Sequence, residues 1–195
     1  MGRRAYTKVA RRSSEERTKT KLLDAAVRIF FEEEWWATSL ERIAAEAGVS
    51  KQTLLRHFGS REGLTWAAFE RERDAIVSQR AAAPVGDVAG AVRNLVAHYE
   101  TYGDRALKLE ALPPDGPGAE LVQQGRELHY QWVETVFAPL LDRHRTTRSR
   151  RLAALIAICD VHTWRLLARQ LGLKRAEVRA TLTLAINGVL GEEMT

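Results

Sequence analysis

The sequence predicts an all-α fold of about nine helices, on three observations. Apolar residues recur at helical spacing along most of the 195 residues, no stretch alternates apolar and polar side chains as a half-buried strand does, and no unit of 20–50 residues repeats. The first helix is expected over about residues 15–34, where Leu22, Ala25, Ala26, Ile29 and Phe30 form one stripe. Two very short helices follow, at about 39–47 and 51–58. A longer one begins near Arg61 and fades at residues 81–87, where Pro84 and Gly86 break the pattern. The remaining periodic stretches lie at about 88–102, 104–112, 118–138, 149–171 and 175–190. The sharpest break is Pro113-Pro114-Asp115-Gly116-Pro117-Gly118, which cannot continue a helix.

The local chemistry of the two short helices is unusually explicit. Thr38 and Glu41 fit a capping box, in which a Thr N-cap and a Glu three residues on satisfy two orphan amides reciprocally. Gly48 is suited to the left-handed position that ends the helix, and Ser50 to capping the next. Ile43, Ala44, Ala47, Val49 and Leu54 supply small apolar contacts that let the helices cross closely. A short helix, a glycine-containing turn of three residues and a second short helix make a helix-turn-helix.

Charge points the same way. Residues 1–21 carry eight basic side chains against Glu15 and Glu16, while the whole chain has a net charge of only +5. A basic arm on a nearly neutral body is a footprint of nucleic-acid binding. Residues 1–14 have no apolar period and are expected to be a disordered basic arm that gains phosphate or minor-groove contacts on DNA. The cluster Arg143, Arg145, Arg148, Arg150 and Arg151 reads as a solvated connector rather than a second DNA patch. The longest apolar run, Leu152–Cys159, is too short to cross a bilayer, and the charged N-terminus lacks the apolar core of a secretory signal. No membrane association is expected, and the cytoplasm is the expected location. The single cysteine, Cys159, excludes an internal disulfide.

The run TSLERIAAEAGVSKQTLLRHFGSREGL, residues 38–64, with the preceding helix over 22–31, resembles the DNA-binding domain of the tetracycline-repressor (TetR) family. Ile43-Ala44, Ala47-Gly48-Val49-Ser50, His57-Phe58 and Ser60-Arg61-Glu62-Gly63-Leu64 carry the likeness, which spans about residues 18–66. The resemblance implies that Lys51, Gln52 and Thr53 meet bases or phosphates of double-stranded DNA, with Arg56 beside them. It implies backbone contacts for His57 and Arg61, and phosphate binding by Thr38 and Ser39 at a helix N-terminus. Three places depart from the family's pattern. Leu55 stands where a phosphate-contacting tyrosine is usual, and Gln52 replaces a small residue and brings the potential to pair with adenine. Trp35-Trp36 occupies the place of a glycine that usually ends the first helix; one ring is expected to be buried.

Three parts are therefore expected: the arm over 1–14, the helix-turn-helix domain over 15–63, and a larger ligand-binding and dimerisation domain over 64–195. The resemblance implies a cavity among the later helices for a small apolar or aromatic effector. Tyr99, Tyr102, His129, Trp132, Cys159 and His162 are the candidate lining. It also implies a homodimer through the last two helices, with Ile158, Val161, Arg165, Val178, Leu182, Ile186 and Val189 as candidate contacts. The leading expectation is a repressor that binds a palindromic operator and is released by the effector. The alternative in the same class is a DNA-binding regulator or activator with no small-molecule effector. A helical enzyme is the remote alternative: the five histidines form no His-x-x-x-His or Glu-x-x-His pair, and there is no nucleophile elbow or phosphate-cradling glycine loop. No cofactor and no metal are expected; metal sensing through His129, Cys159 and His162 is the variant that a metal-content assay tests.

Overall fold

A computed structural model describes residues 3–32, 38–111, 119–142 and 144–191, with side chains described from residue 13 and not for 30–32. The Trp35-Trp36 pair, the Pro113–Gly118 break and Arg143 lie outside the described residues. Every regular element among the described residues is helical. The chain divides into two compact units, Met1–Ala75 and Ile76–Thr195.

In the first unit, α1 spans Arg3–Glu32, α2 Leu40–Glu46, α3 Lys51–Phe58, and α4, Arg61–Ala81, begins. The expected disordered arm is a correction: residues 3–14 are the start of α1. No glycine or proline stands between Arg3 and Glu32, and a helix already nucleated downstream extends through Ala, Arg and Lys at little cost without an apolar face. Leu22, Ala25, Ala26 and Ile29 of α1 pack with Ile43, Ala44 and Ala47, with Leu54 of α3, and with Leu64 and Ala68 of α4. These last two residues explain why the unit ends inside α4, later than the boundary expected near residue 63. Their side chains complete the N-terminal core.

The cap of α2 also differs from expectation. Ser39 is the N-cap, its Oγ accepting from the Arg42 amide at 3.2 Å. Thr38 is buried, 5% exposed, and its carbonyl accepts from Arg61 Nη2 at 2.6 Å. The third helical position is therefore Arg42 rather than Glu41, and no reciprocal box forms. Ser50 caps α3 as expected, accepting from the Thr53 amide at 3.2 Å, and Gly48 takes a left-handed φ of 70° between the two helices.

The second unit contains the last turns of α4, then α5 Val88–Glu110, α6 Ala119–Phe137, α7 Arg145–Ile158, α8 Val161–Arg165 and α9 Arg175–Leu190. A 3₁₀ turn, Ala138–Leu140, follows α6, and a π-helical turn, Leu166–Gln170, prolongs α8. Two expected helices, 88–102 and 104–112, are one: α5 passes straight through Gly103, where Trp164 lies so close that a Cβ would meet its Cζ3 at 2.5 Å. Conversely the single helix expected over 149–171 breaks at Cys159-Asp160. Asp160 there accepts from the His162 amide at 2.8 Å and opens α8 as its N-cap. The core joins Val92, Leu95, Val96 and Tyr99 to Trp132, Val133 and Phe137, to Leu155 and Trp164, and to the apolar stripe of α9. No helix among the described residues is long and apolar enough to cross a membrane.

Candidate functional site

The helix-turn-helix is built around one buried residue of each short helix. Ile43 of α2 and Leu54 of α3 are fully buried, so the opposite face of α3 is turned outward. Lys51, Gln52 and Arg56 stand exposed on that face, while Thr53, Leu55, His57 and Phe58 are half-buried. Glycines bracket the unit: Gly59 ends α3 with a φ of 75°, its N–H donating a hydrogen bond to the Leu55 carbonyl. The arrangement presents a short, capped helix with two cations and an amide side chain toward solvent, which suits a major groove.

The other DNA candidates are placed less simply. Ser39 is exposed beside the N-terminus of α2, but its Oγ is already the cap acceptor. Thr53 shares a 3.0 Å hydroxyl contact with Ser50 within the α3 cap. Thr38 is corrected as a phosphate ligand, because its side chain is buried and its carbonyl is engaged by Arg61. Arg61 thereby clasps the start of α4 to the entry of α2. His57 has its Nε2 sealed from solvent without a hydrogen-bond partner, its ring 6.2 Å from that of Phe58.

Sequence reasoning missed one participant on this surface. Glu41 accepts from Lys51 Nζ at 2.7 Å, linking α2 to the first residue of α3. That hydrogen bond, with a backbone contribution and the Lys51 charge, holds the Glu41 carboxyl below its ordinary range. Position 41 was legible only as a capping residue. The one-residue shift of the α2 cap frees its carboxylate to reach across the turn.

In the second unit, four of the six candidate effector residues come together around a residue the sequence did not single out. Arg80, on the last turn of α4, is 8% exposed. Its guanidinium carbon stands 3.8 Å over the Trp132 ring and 6.0 Å from that of Tyr99. Its Nη2 is 3.3 Å from His129 Nδ1, and its carbonyl accepts from Trp132 Nε1 at 3.0 Å. His129 Nε2 donates to the Ile156 carbonyl at 3.1 Å, which makes Nδ1 the acceptor for Arg80. Tyr99 donates to the Cys159 carbonyl at 2.9 Å, tying the cluster to the end of α7. His98, bonded to Gln79 Oε1 at 3.1 Å, connects the group to Tyr102, whose ring is 5.2 Å away.

His162 is corrected: it faces outward on α8, with Nε2 2.8 Å from a Glu110 carboxylate oxygen. Burial dominates the titration of the rest. It drives His98 down to about 3, with the charges of Arg80 and His129 acting the same way. It also lowers His129 and raises the Tyr99 hydroxyl, and it pushes the Cys159 thiol up to about 12. Both histidines are thus neutral at pH 7, and Arg80 is the cluster's cation. Among the described residues, no three His, Cys, Asp or Glu side chains are gathered to hold a metal ion.

The expected dimer contacts need a larger correction. Val161, Val178, Leu182 and Ile186 are buried in this chain's own core. Ile158 and Val189 are half-buried, and Arg165 is exposed. One apolar stripe per helix was visible in the sequence, and the monomer core takes it. What α9 leaves outward is Ala180, Leu184 and Gly188, with Leu184 54% exposed. A surface groove runs beside it between α5 and α9, bordered by Val92, Arg93, Arg179, Leu184 and Asn187; none of the six effector candidates lines it.

Comparison with known proteins agrees with this architecture. Residues 22–68 match the bacterial regulatory proteins of the tetR family. A TetR-family transcriptional regulator from Streptomyces coelicolor superposes with a TM-score of 0.67 at 22% identity, over 91% of this chain and 96% of that one. A transcriptional regulator from Rhodococcus sp. Rha1 does so with a TM-score of 0.64 at 18% identity, over 93% and 100% of the two chains. The TetR-like regulator LfrR from Mycobacterium smegmatis, solved with proflavine, gives a TM-score of 0.53 at 22% identity, over 92% and 98%. No curated protein matches the sequence. The structural likenesses show the fold, and the match over residues 22–68 shows a helix-turn-helix domain similar to that of the bacterial regulatory proteins of the tetR family.

Proposed function

We propose that the chain is a repressor that binds a palindromic operator as a homodimer and releases it when a small molecule enters the unit Ile76–Thr195. The observation that carries the DNA half is the outward face of α3, where Lys51, Gln52 and Arg56 stand exposed on a helix fixed by a Ser cap and two left-handed glycines. Gln52 reads a base, Lys51 and Arg56 meet bases or phosphates, and Arg61 and His57 border the backbone. Two such helices are needed for operator-level affinity, and the outward face of α9 around Leu184 is the dimer surface this reading uses. The effector half rests on the buried polar cluster around Arg80, which is costlier than a plain apolar core and is carried by the helix that begins at Arg61. LfrR, of the same fold, has been solved with a small molecule, proflavine. Regulation of DNA places the protein in the cytoplasm.

The test is binding of the purified protein to DNA flanking its own gene, followed by footprinting. The expected footprint is a palindrome with half-sites roughly 34 Å apart or somewhat more, and an affinity that falls steeply with salt. Light scattering should show a dimer at micromolar concentration. A monomer, or full-affinity binding to one isolated half-site, overturns the dimeric reading. Tight small-molecule binders that all leave operator affinity unchanged overturn release by an effector.

A further inference from the structure

Arg80 is the one buried charged side chain among the described residues of the C-terminal unit. A guanidinium taken out of water needs a counter-ion or a full set of acceptors. Arg80 has neither among the described residues: no carboxylate is within ion-pair distance. Its side-chain partners are the neutral His129 and the faces of Trp132 and Tyr99. Its Nη1 is sealed from solvent and has no acceptor. Cation–π contact offsets part of the burial cost, most of all over Trp, but it leaves the N–H groups at the guanidinium edge unmet. A second unmet polar atom belongs to Asn94, whose Nδ2 donates to the carbonyl of Gln79, the neighbour of Arg80 in the chain, at 2.7 Å and whose Oδ1 is buried without a donor.

The surroundings select the chemistry that completes the site. The two histidines nearest the arginine are held neutral, so neither competes for an anion nor supplies one. The guanidinium fork matches a carboxylate in shape and charge. The rings packed beside it are aromatic: Trp132 and Tyr99 lie against the guanidinium, and His98 joins Tyr99 to Tyr102. We propose that Arg80 anchors an organic carboxylate with an apolar or aromatic body, its carboxylate oxygen accepting from Nη1, so that the effector of this regulator is an anion. This rests on the reading that the C-terminal unit takes an effector, and it supplies the charge of that effector. The anchor sits on the last turn of α4, so a carboxylate drawing on the Arg80 side chain acts on the helix whose first residue clasps Thr38.

The experiment is calorimetric titration of the full chain with benzoate, 2-naphthoate and decanoate, each beside its primary amide, and with sodium chloride as an inorganic control. At least one carboxylate should bind tenfold or more tightly than its amide. R80M, checked for folding by circular dichroism, should abolish that preference. R80K, which keeps the charge and loses the fork, should weaken the carboxylate at least tenfold and leave the amide unchanged. Equal binding of acid and amide, undiminished carboxylate binding in R80K or R80M, saturation by chloride alone, or no binding by any of the three carboxylates each overturns the proposal. Titrating the same compounds against the protein–operator complex separates the two readings. Carboxylates that bind through Arg80 without moving operator affinity sustain the site and overturn release by effector. Release by the amides alone does the reverse.

Discussion

At Lys51 the free protein already makes a contact that the proposed DNA contact must replace. The Nζ group that suits a phosphate or a base edge is held 2.7 Å from Glu41. Both side chains are exposed, so the pair adds little to stability, and its weight falls on binding. E41Q releases the lysine and removes a carboxylate from the proposed DNA face. The expected result is several-fold tighter binding to all sequences at low salt, with an unchanged melting temperature. Fluorescence anisotropy across a salt series checks it, and equal affinity for E41Q and the parent chain rules the competition out. His98 and His129 supply a second prediction at this scale. Both are depressed as bases in the folded chain, His98 to about 3. The unfolded chain therefore takes up protons below about pH 6.5 that the folded chain refuses, and stability present above that pH is lost as it falls toward 3. The slope approaches about 1.4 kcal/mol per pH unit for His98, and His129 adds to it in the same direction. Melting curves between pH 7.5 and 4.5 should show the decline, and H98F should flatten it.

Among the elements, α5 and α3 show opposite uses of small residues. Gly103 interrupts the helical propensity of α5, yet the helix continues because Trp164 fills the space a side chain would take. G103A should gain about 0.5–1 kcal/mol of helix propensity and lose more to overpacking, which costs about 1–3 kcal/mol. The net expected effect is a lower denaturant midpoint with operator binding unchanged at permissive temperature, and a raised midpoint would show that Trp164 moves aside freely. In α3 the Ser50 hydroxyl caps the helix that carries Lys51 and Gln52. S50A should cost about 1 kcal/mol. Because the frayed turn carries the proposed contacts of Lys51 and Gln52, DNA affinity should fall with it.

For the whole molecule, the proposed homodimer rests on the outward face of α9. Leu184 is exposed between Ala180 and Gly188, whereas Val178, Leu182 and Ile186 are spent on the core. L184D should leave helicity and melting behaviour nearly intact while light scattering reports a monomer and operator binding drops by two orders of magnitude or more. The counterpart change L182D should unfold the C-terminal unit instead. A dimeric L184D moves the interface elsewhere. The proposed effector action belongs to this scale too, since a ligand that weakens DNA binding is itself weakened by DNA by the same factor. The α4 helix, Arg61–Ala81, is shared by both units and is the element through which that linkage is expected to run.

Local chemistry determined the helix-turn-helix before any tertiary contact was known. Gly48 and Ser50 act over one to three residues, and the identities around Ala47–Ser50 and His57–Phe58 are contiguous. The same is true of α9, whose bounds follow from an uninterrupted apolar period. Where a competing local signal existed, the boundary slipped: Ser39 outcompeted Thr38 as a cap, and Asp160 opened a new helix inside an apolar stretch. Tertiary structure alone decided which face of α9 is buried, because a stripe of period 3.6 marks a contact and not the partner it is made with. It alone decided that Arg80, in sequence an ordinary cation in a helix's last turn, is enclosed by Trp132, Tyr99 and His129. These residues are 19 to 52 positions away in the chain, and no local rule reaches so far.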